Sequence, residues 1–169
     1  MHRQVHSAGH CYSPRSGSGP SSNDSCKTKY MVKNGGMNVE RRELESPSLN
    51  KPLGVFCQAV EVVGAKKLVF VSGLTSRAPD ASIVGVGDIK LQTETVVKNL
   101  NHVLSEAGGT IDDIVKVTVY IRDMEMFKEI HEVRNRYFKP PYPASTMVEV
   151  SRLVDEDLLI EIEAIAVIG

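Results

Sequence analysis

The chain predicts an α+β fold, with a mixed sheet carrying two helices on one face. Three observations predict it. From residue 47 onward, segments of strand and helix periodicity follow one another in the order β-β-α-β-α-β-β. At 169 residues, with 41% hydrophobic content, the chain suits one ordinary globular domain. Finally, the strands are apolar on both sides, as Leu159, Ile165 and Val167 opposite Ile160 and Ile162 illustrate. The face without helices then needs cover, and a homo-oligomer supplies it most economically.

"LGVFCQAVEVVG" and "KLVFVSG" are β-branched, apolar runs bounded by glycine, and read as strands joined by a turn near Gly64 to Lys67. "TSRAPDASIVGVG" is a loop punctuated by Pro79, Gly85 and Gly87. Asp88 can cap a long helix whose Ile89, Val96, Val97, Leu100, Val103 and Leu104 recur at helical spacing, closed by Gly108 and Gly109. "IVKVTVYIRD" alternates, with Val115, Val117, Val119 and Ile121 on one face and Lys116, Thr118, Tyr120 and Arg122 on the other. Asp123 can cap a second helix carried by Met126, Phe127, Ile130, Val133 and Tyr137. "PPYPASTMVEV" enters the next strand through fixed prolines, and "LLIEIEAIAVIG" is the last.

Residues 1–46 read differently. "SPRSGSGPSSNDS" has no hydrophobic period, and the stretch up to Val39 is basic. It fits a disordered tail, an expression remnant or a transit peptide, and the domain is expected over 47–169. Charge is nearly balanced, at −1, and tryptophan is absent. No nucleic-acid partner or base-stacking platform is therefore expected, nor a membrane span. Cys11, Cys26 and Cys57 are odd in number and lack metal-ligand spacing, which fits a reduced, cytoplasmic setting. A mitochondrial or plastid location follows instead if the N-terminus is a transit peptide.

Glu161 and Glu163 share one face of an apolar strand, where a carboxylate must be paired or hydrogen-bonded. Salt bridges to Lys116 or Arg122 would make them structural; otherwise one is a general acid/base or holds a water between subunits. Ser72 and Gly73 end a strand and either form a turn or present backbone to a ligand. His131, one residue off an apolar row, reads as a half-exposed packing residue. Arg77 reads as a solvated loop cation, and Cys57 as a small core residue. No nucleophile–His–acid pattern, phosphate loop or zinc motif is present.

Together, "FCQAV", "LVFVSG", "QTETVVKNLNHVLSEAGGTIDDIVKVTVYIRDMEMF" and "PASTMVEVSRL…LLIEIEAIAV" resemble the Rid family, the reactive-intermediate enamine/imine deaminases also called YjgF/YER057c/UK114. The resemblance implies a chorismate-mutase-like arrangement and a homotrimer with ligand sites between subunits. It also implies cofactor-free hydrolysis of 2-aminoacrylate-type enamines, through the imine, to a 2-keto acid and ammonia. A cation grips the small substrate's carboxylate while a glutamate handles water and protons. By position, the glutamate matches Glu161, and Ser72 and Gly73 match the end of the family's second strand. Phe56 stands for the family's tyrosine, and His131 for an asparagine that often lines the cleft. Thr146 and Met147 also fall on the cleft-lining strand.

The family usually reads Pro-Ala-Arg where this chain has Pro143, Ala144 and Ser145. The carboxylate-gripping arginine is gone, and such a contact is worth about 1.5–3 kcal/mol. The resemblance offers Arg77 as a substitute, because "SGLTSRAPDASIVG" is similar to a loop of 2-aminomuconate deaminases. Arg134, one turn along the helix from His131, is the other candidate. A trimer that binds a small carboxylate or a protein without turnover is the alternative. The ribonuclease or translation-inhibitor activity sometimes attached to the family fits poorly without a basic patch.

Overall fold

The computed structural model describes residues 29–34, 37–52 and 54–169. Seven strands and two α-helices form two sheets. A three-stranded antiparallel sheet contains β1 (Lys29–Asn34), β2 (Met37–Leu44) and β3 (Ala59–Val63) in that order. The main sheet has the order β4-β7-β5-β6, from β4 (Lys67–Leu74), β5 (Ile114–Ile121), β6 (Ala144–Glu149) and β7 (Ile160–Ile168). Its pairs are antiparallel except β5 with β6. The order from β3 onward is the expected one.

The segment ahead of residue 47 is not all tail, however. β1 and β2 lie ahead of residue 47, so part of the segment read as a tail is strand; 1–28 lie outside the described residues. β2 is sequestered by backbone pairing and by only two deeply buried side chains, Val39 and Arg41, which is little for a hydropathy pattern to reveal. A second correction concerns the strands on either side of Gly64. They follow one another, but β3 pairs with β2 whereas β4 pairs with β7.

α1 (Ile89–Glu106) begins where the Asp88 carboxylate accepts the Leu91 N–H, at 3.0 Å. It ends as Gly108 turns to a φ of 80°, and the Gly109 N–H reaches the Leu104 carbonyl at 2.9 Å. Asp123 caps a short 3-10 turn at Met124–Met126 that runs into α2 (Phe127–Tyr137). Both helices pack on one face of the main sheet. There Val96, Val97, Leu100, Leu104 and Ile130 meet Val117, Val119, Ile121, Ile160 and Ile162, all 1% exposed or less. Val103, expected in that apolar row, is instead exposed.

The other face is divided. At one end Val39 of β2 packs on Val115 and Val167, so the chain's own small sheet covers part of what an oligomer was expected to cover. The rest, including Phe70 at 71% exposed and Leu68 at 57%, is open.

Candidate functional site

The two ends of β4 are out of simple alternation. Val71 pairs with Ala164, but Leu74 pairs with Ile162, so three steps on β4 face two on β7. The extra residue makes a bulge at Ser72–Gly73, opposite Glu163 and beside Glu161. Bulges of this kind re-aim side chains next to sites. The Glu161 side chain folds directly over Gly73. A Cβ there would lie 1.9 Å from Glu161 Oε1 and 2.8 Å from its carboxyl carbon, so any side chain at 73 would push the carboxylate out of this seat.

Register sets Glu161 beside Tyr120 and Glu163 beside Thr118 on the open face. Among the described residues no salt bridge joins either glutamate to Lys116 or Arg122. Lys116 Nζ instead donates to the Val117 carbonyl at 2.7 Å and to Thr146 Oγ1 at 3.1 Å. Desolvation lowers the Lys116 ammonium's pKa, with the Glu163 carboxylate pulling the other way. Desolvation, together with the Glu163 and Glu161 charges, raises the Tyr120 phenol. A shallow hollow of about 260 Å³ is lined by Phe70, Lys116, Thr118, Glu163 and Ile165. It is therefore centred on Glu163, the neighbour of the predicted glutamate. Tyr120 and Thr118 were missed as site residues. Their alternation marks the face they share, but only the pairing register brings them to the glutamates.

Two amides of α1, the buried Gln92 and the half-buried Asn99, hold this end of the sheet. Gln92 donates to the Gly85 and Asp157 carbonyls and accepts the Leu159 N–H at 2.8 Å, fixing the start of β7. Asn99 donates to the Thr75 and Arg77 carbonyls, both at 3.0 Å, fixing the loop after β4.

The remaining predicted residues lie on the opposite side. Ser145 pairs with core-facing Val117 and Met147 with Val119, so both point toward the helices, whereas Thr146 pairs with Thr118 and faces Glu163. Ser145 accepts a hydrogen bond from Arg134 Nη2 at 3.0 Å. His131 stacks edge-on against Phe127, with ring centroids 4.1 Å apart. A Cβ on Gly54 would meet both His131 and Phe56, so these line one corner. Burial, then the Arg134 charge, lowers the His131 imidazole's pKa. Arg77 is committed elsewhere: it donates to the Ala81 carbonyl at 2.6 Å and pairs with Asp155 at 3.2 Å. Cys57 is buried, and its thiol is pushed up to about 11, chiefly by burial and then by Glu43, as suits a packing residue.

The chain thus carries two groups of candidate residues on opposite faces of its main sheet. Glu161, Gly73, Ser72 and Thr146 face outward; Ser145, Met147, Arg134, His131 and Phe56 are gathered on the helix side.

The fold and the bulge-seated glutamate define an α+β protein of the YjgF/RutC type. Residues 48–168 match the family described as Endoribonuclease L-PSP, and the chain belongs to that YjgF/RutC/Rid family. It is 44% identical to a RutC family protein of Pyrococcus abyssi over 69% of this chain and 88% of that one. It is 31% identical to the chloroplastic Reactive Intermediate Deaminase A of Arabidopsis thaliana over 76% of this chain and 66% of that one. A solved Rid-family protein of unknown function from Yersinia pestis superposes with a TM-score of 0.69 at 27% identity, covering 76% of this chain and 98% of its own.

Proposed function

We propose that the protein is a hydrolytic deaminase of reactive enamine/imine intermediates, of the 2-aminoacrylate or 2-aminomuconate type. The observation that carries this reading is the Glu161 carboxylate seated over the Gly73 bulge without a cationic partner. A carboxylate so placed is available to a water. Membership of a family that includes reactive intermediate deaminases supports the reaction class.

The chemistry asks little of the protein beyond position. The enamine tautomerises to an imine, whose carbon is already electrophilic. Water adds to that carbon as Glu161 takes a proton from it. The same carboxyl returns the proton to nitrogen, giving a carbinolamine. It then carries the carbinolamine's hydroxyl proton to the amine, the carbonyl forms as the carbon–nitrogen bond breaks, and ammonia leaves a keto acid behind. The two groups of residues on opposite faces call for a second copy of the chain, and we read the working unit as a homotrimer with sites between subunits. The exposed Phe70, which lines the hollow with Glu163, and Leu68, two residues along β4, provide apolar area for that contact.

The test is ammonia release from 2-aminoacrylate generated in situ and, separately, from 2-aminomuconate. Glu161→Gln is expected to lower turnover by about 10²–10⁴-fold. No acceleration of either substrate by the wild type sinks the reading. A second reading, a non-catalytic trimer that binds a small carboxylate or a partner protein, draws support from Ser145 in place of the family arginine and from the pairing of Arg77 with Asp155. It predicts protection against heat by a carboxylate, without turnover.

A further inference from the structure

The helix-side group contains a cation with no counter-charge. Arg134 is 1% exposed, yet no carboxylate pairs with it among the described residues. Its Nη2 donates to Ser145 Oγ at 3.0 Å and, at 3.5 Å, to the Val55 carbonyl. Its Nε is buried and has no partner. His131 lies three residues earlier, on the same helical face, and its Nδ1 is likewise buried without a partner. Burying an arginine is costly unless something offsets it, and no acid among the described residues does so here. An unbalanced positive charge beneath a half-buried hydroxyl is what an anion site needs.

We propose that Arg134 is the positioning residue of a carboxylate-binding site whose contacting group is the Ser145 hydroxyl. The geometry assigns the two roles. Arg134 is too deeply buried to meet a ligand itself, whereas Ser145 is only half-buried. Because Ser145 Oγ accepts from the guanidinium, its own proton is left to point away from Arg134, toward a ligand. A donor polarised by a cation behind it binds an anion more strongly than a plain hydroxyl does. The site thus reaches a small carboxylate by relay, with the charge one residue removed from the contact. This deepens the deaminase reading and rests on it for the substrate class, a 2-enamino or 2-keto acid.

The test uses pyruvate as probe, titrated calorimetrically into the full-length protein and its variants. Ser145→Ala and Arg134→Met are each expected to weaken binding about ten- to a hundredfold. The double variant is expected to lose no more than either single change, because both interrupt one relay. Arg134→Lys, which keeps the charge, is expected to recover part of the loss. Should Arg134→Met fail to fold, Arg134→Gln against Arg134→Lys makes the same comparison of neutral with charged. In enamine turnover both changes should raise KM and leave kcat nearly unaltered. Absent pyruvate binding by the wild type, unchanged binding in the Arg134 variants, or losses that multiply in the double variant each overturn the proposal. Pyruvate binding with this pattern but no enamine turnover would leave the relay standing and remove only the deaminase reading. Turnover with KM untouched by either substitution would do the reverse.

Discussion

Arg41 and Arg134 are buried to the same 1% exposure, but only Arg41 is surrounded by groups that suit a cation. Arg41 donates to the carbonyls of Asp112 and Ile114, the latter at 2.6 Å, and the charges of Asp113 and Asp112 partly offset the desolvation that lowers its pKa. It ties β2 to the start of β5, joining the two sheets. Around Arg134 there is a hydroxyl, a distant carbonyl and the Phe138 ring at 5.5 Å, and desolvation acts on it unopposed. A buried arginine whose charge is met within the chain is part of the architecture. One whose charge is left over is waiting for something outside it.

Removing each arginine should separate the two roles most sharply. Arg41→Met strands the buried Ile114 carbonyl and the part-buried Asp112 carbonyl, and is expected to cost about 3 kcal/mol in urea unfolding, without changing pyruvate affinity per folded protein. Arg134→Met should stay within about 1 kcal/mol of wild type, because lost hydrogen bonds and ring contact are offset by relief of an unpaired buried charge. Equal costs for the two would break the comparison.

A gentler change should make Arg134 resemble Arg41. Ser145→Asp sets a carboxylate within reach of Nη2, and is expected to stabilise the fold by about 1–2 kcal/mol while abolishing pyruvate binding. Stabilisation with binding retained would show that the charge is not what the ligand uses.

The smallest effect concerns acid. The imidazole of His131 is held below its ordinary pKa by burial first and Arg134 second. As pH falls through the unfolded value of about 6.5, the unfolded chain takes up a proton that the folded one refuses, so stability declines toward the lower folded pKa. Above 6.5 this contribution vanishes. Arg134→Met should move the His131 titration upward and shrink the acid loss, as read from its ring proton shifts by NMR. No movement would mean that the two residues do not sense each other.

Much of the fold was legible because most of β3 onward obeys periods of 2 and 3.6, and because Asp88, Asp123 and Gly108 punctuate where capping chemistry requires. Val115, expected on the face of Val117, Val119 and Ile121, instead packs on Val39 and Val167, because the β5 register shifts between Ile114 and Lys116. The β1–β2 hairpin was not, since "KYMVKNGGMNVERREL" is charged and offers hydropathy little to grip. The Asn34-Gly35-Gly36 run in the sequence was the available signal. Glu161 could be picked out as a carboxylate in an apolar strand, but the bulge beneath it depends on register, which no single strand contains. Arg134 was the hardest to weigh. It stands four residues after Ile130 on the buried row of α2, yet an arginine at such a position ordinarily reads as solvated, because burying it is costly.

The bulge at Ser72–Gly73 has a consequence for how this gene can vary. Val71 and Leu74 both point toward the core only because one surplus residue lies between them. Delete it, and the strand before that point slips out of phase, turning Phe70 inward and Val71 to solvent. Spelling changes at many positions of β4 leave the sense intact, whereas a frameshift of one residue in the polypeptide would invert its meaning. Outside Gly73 and the core-facing Val71, the strand is constrained less by the identity of its residues than by their number.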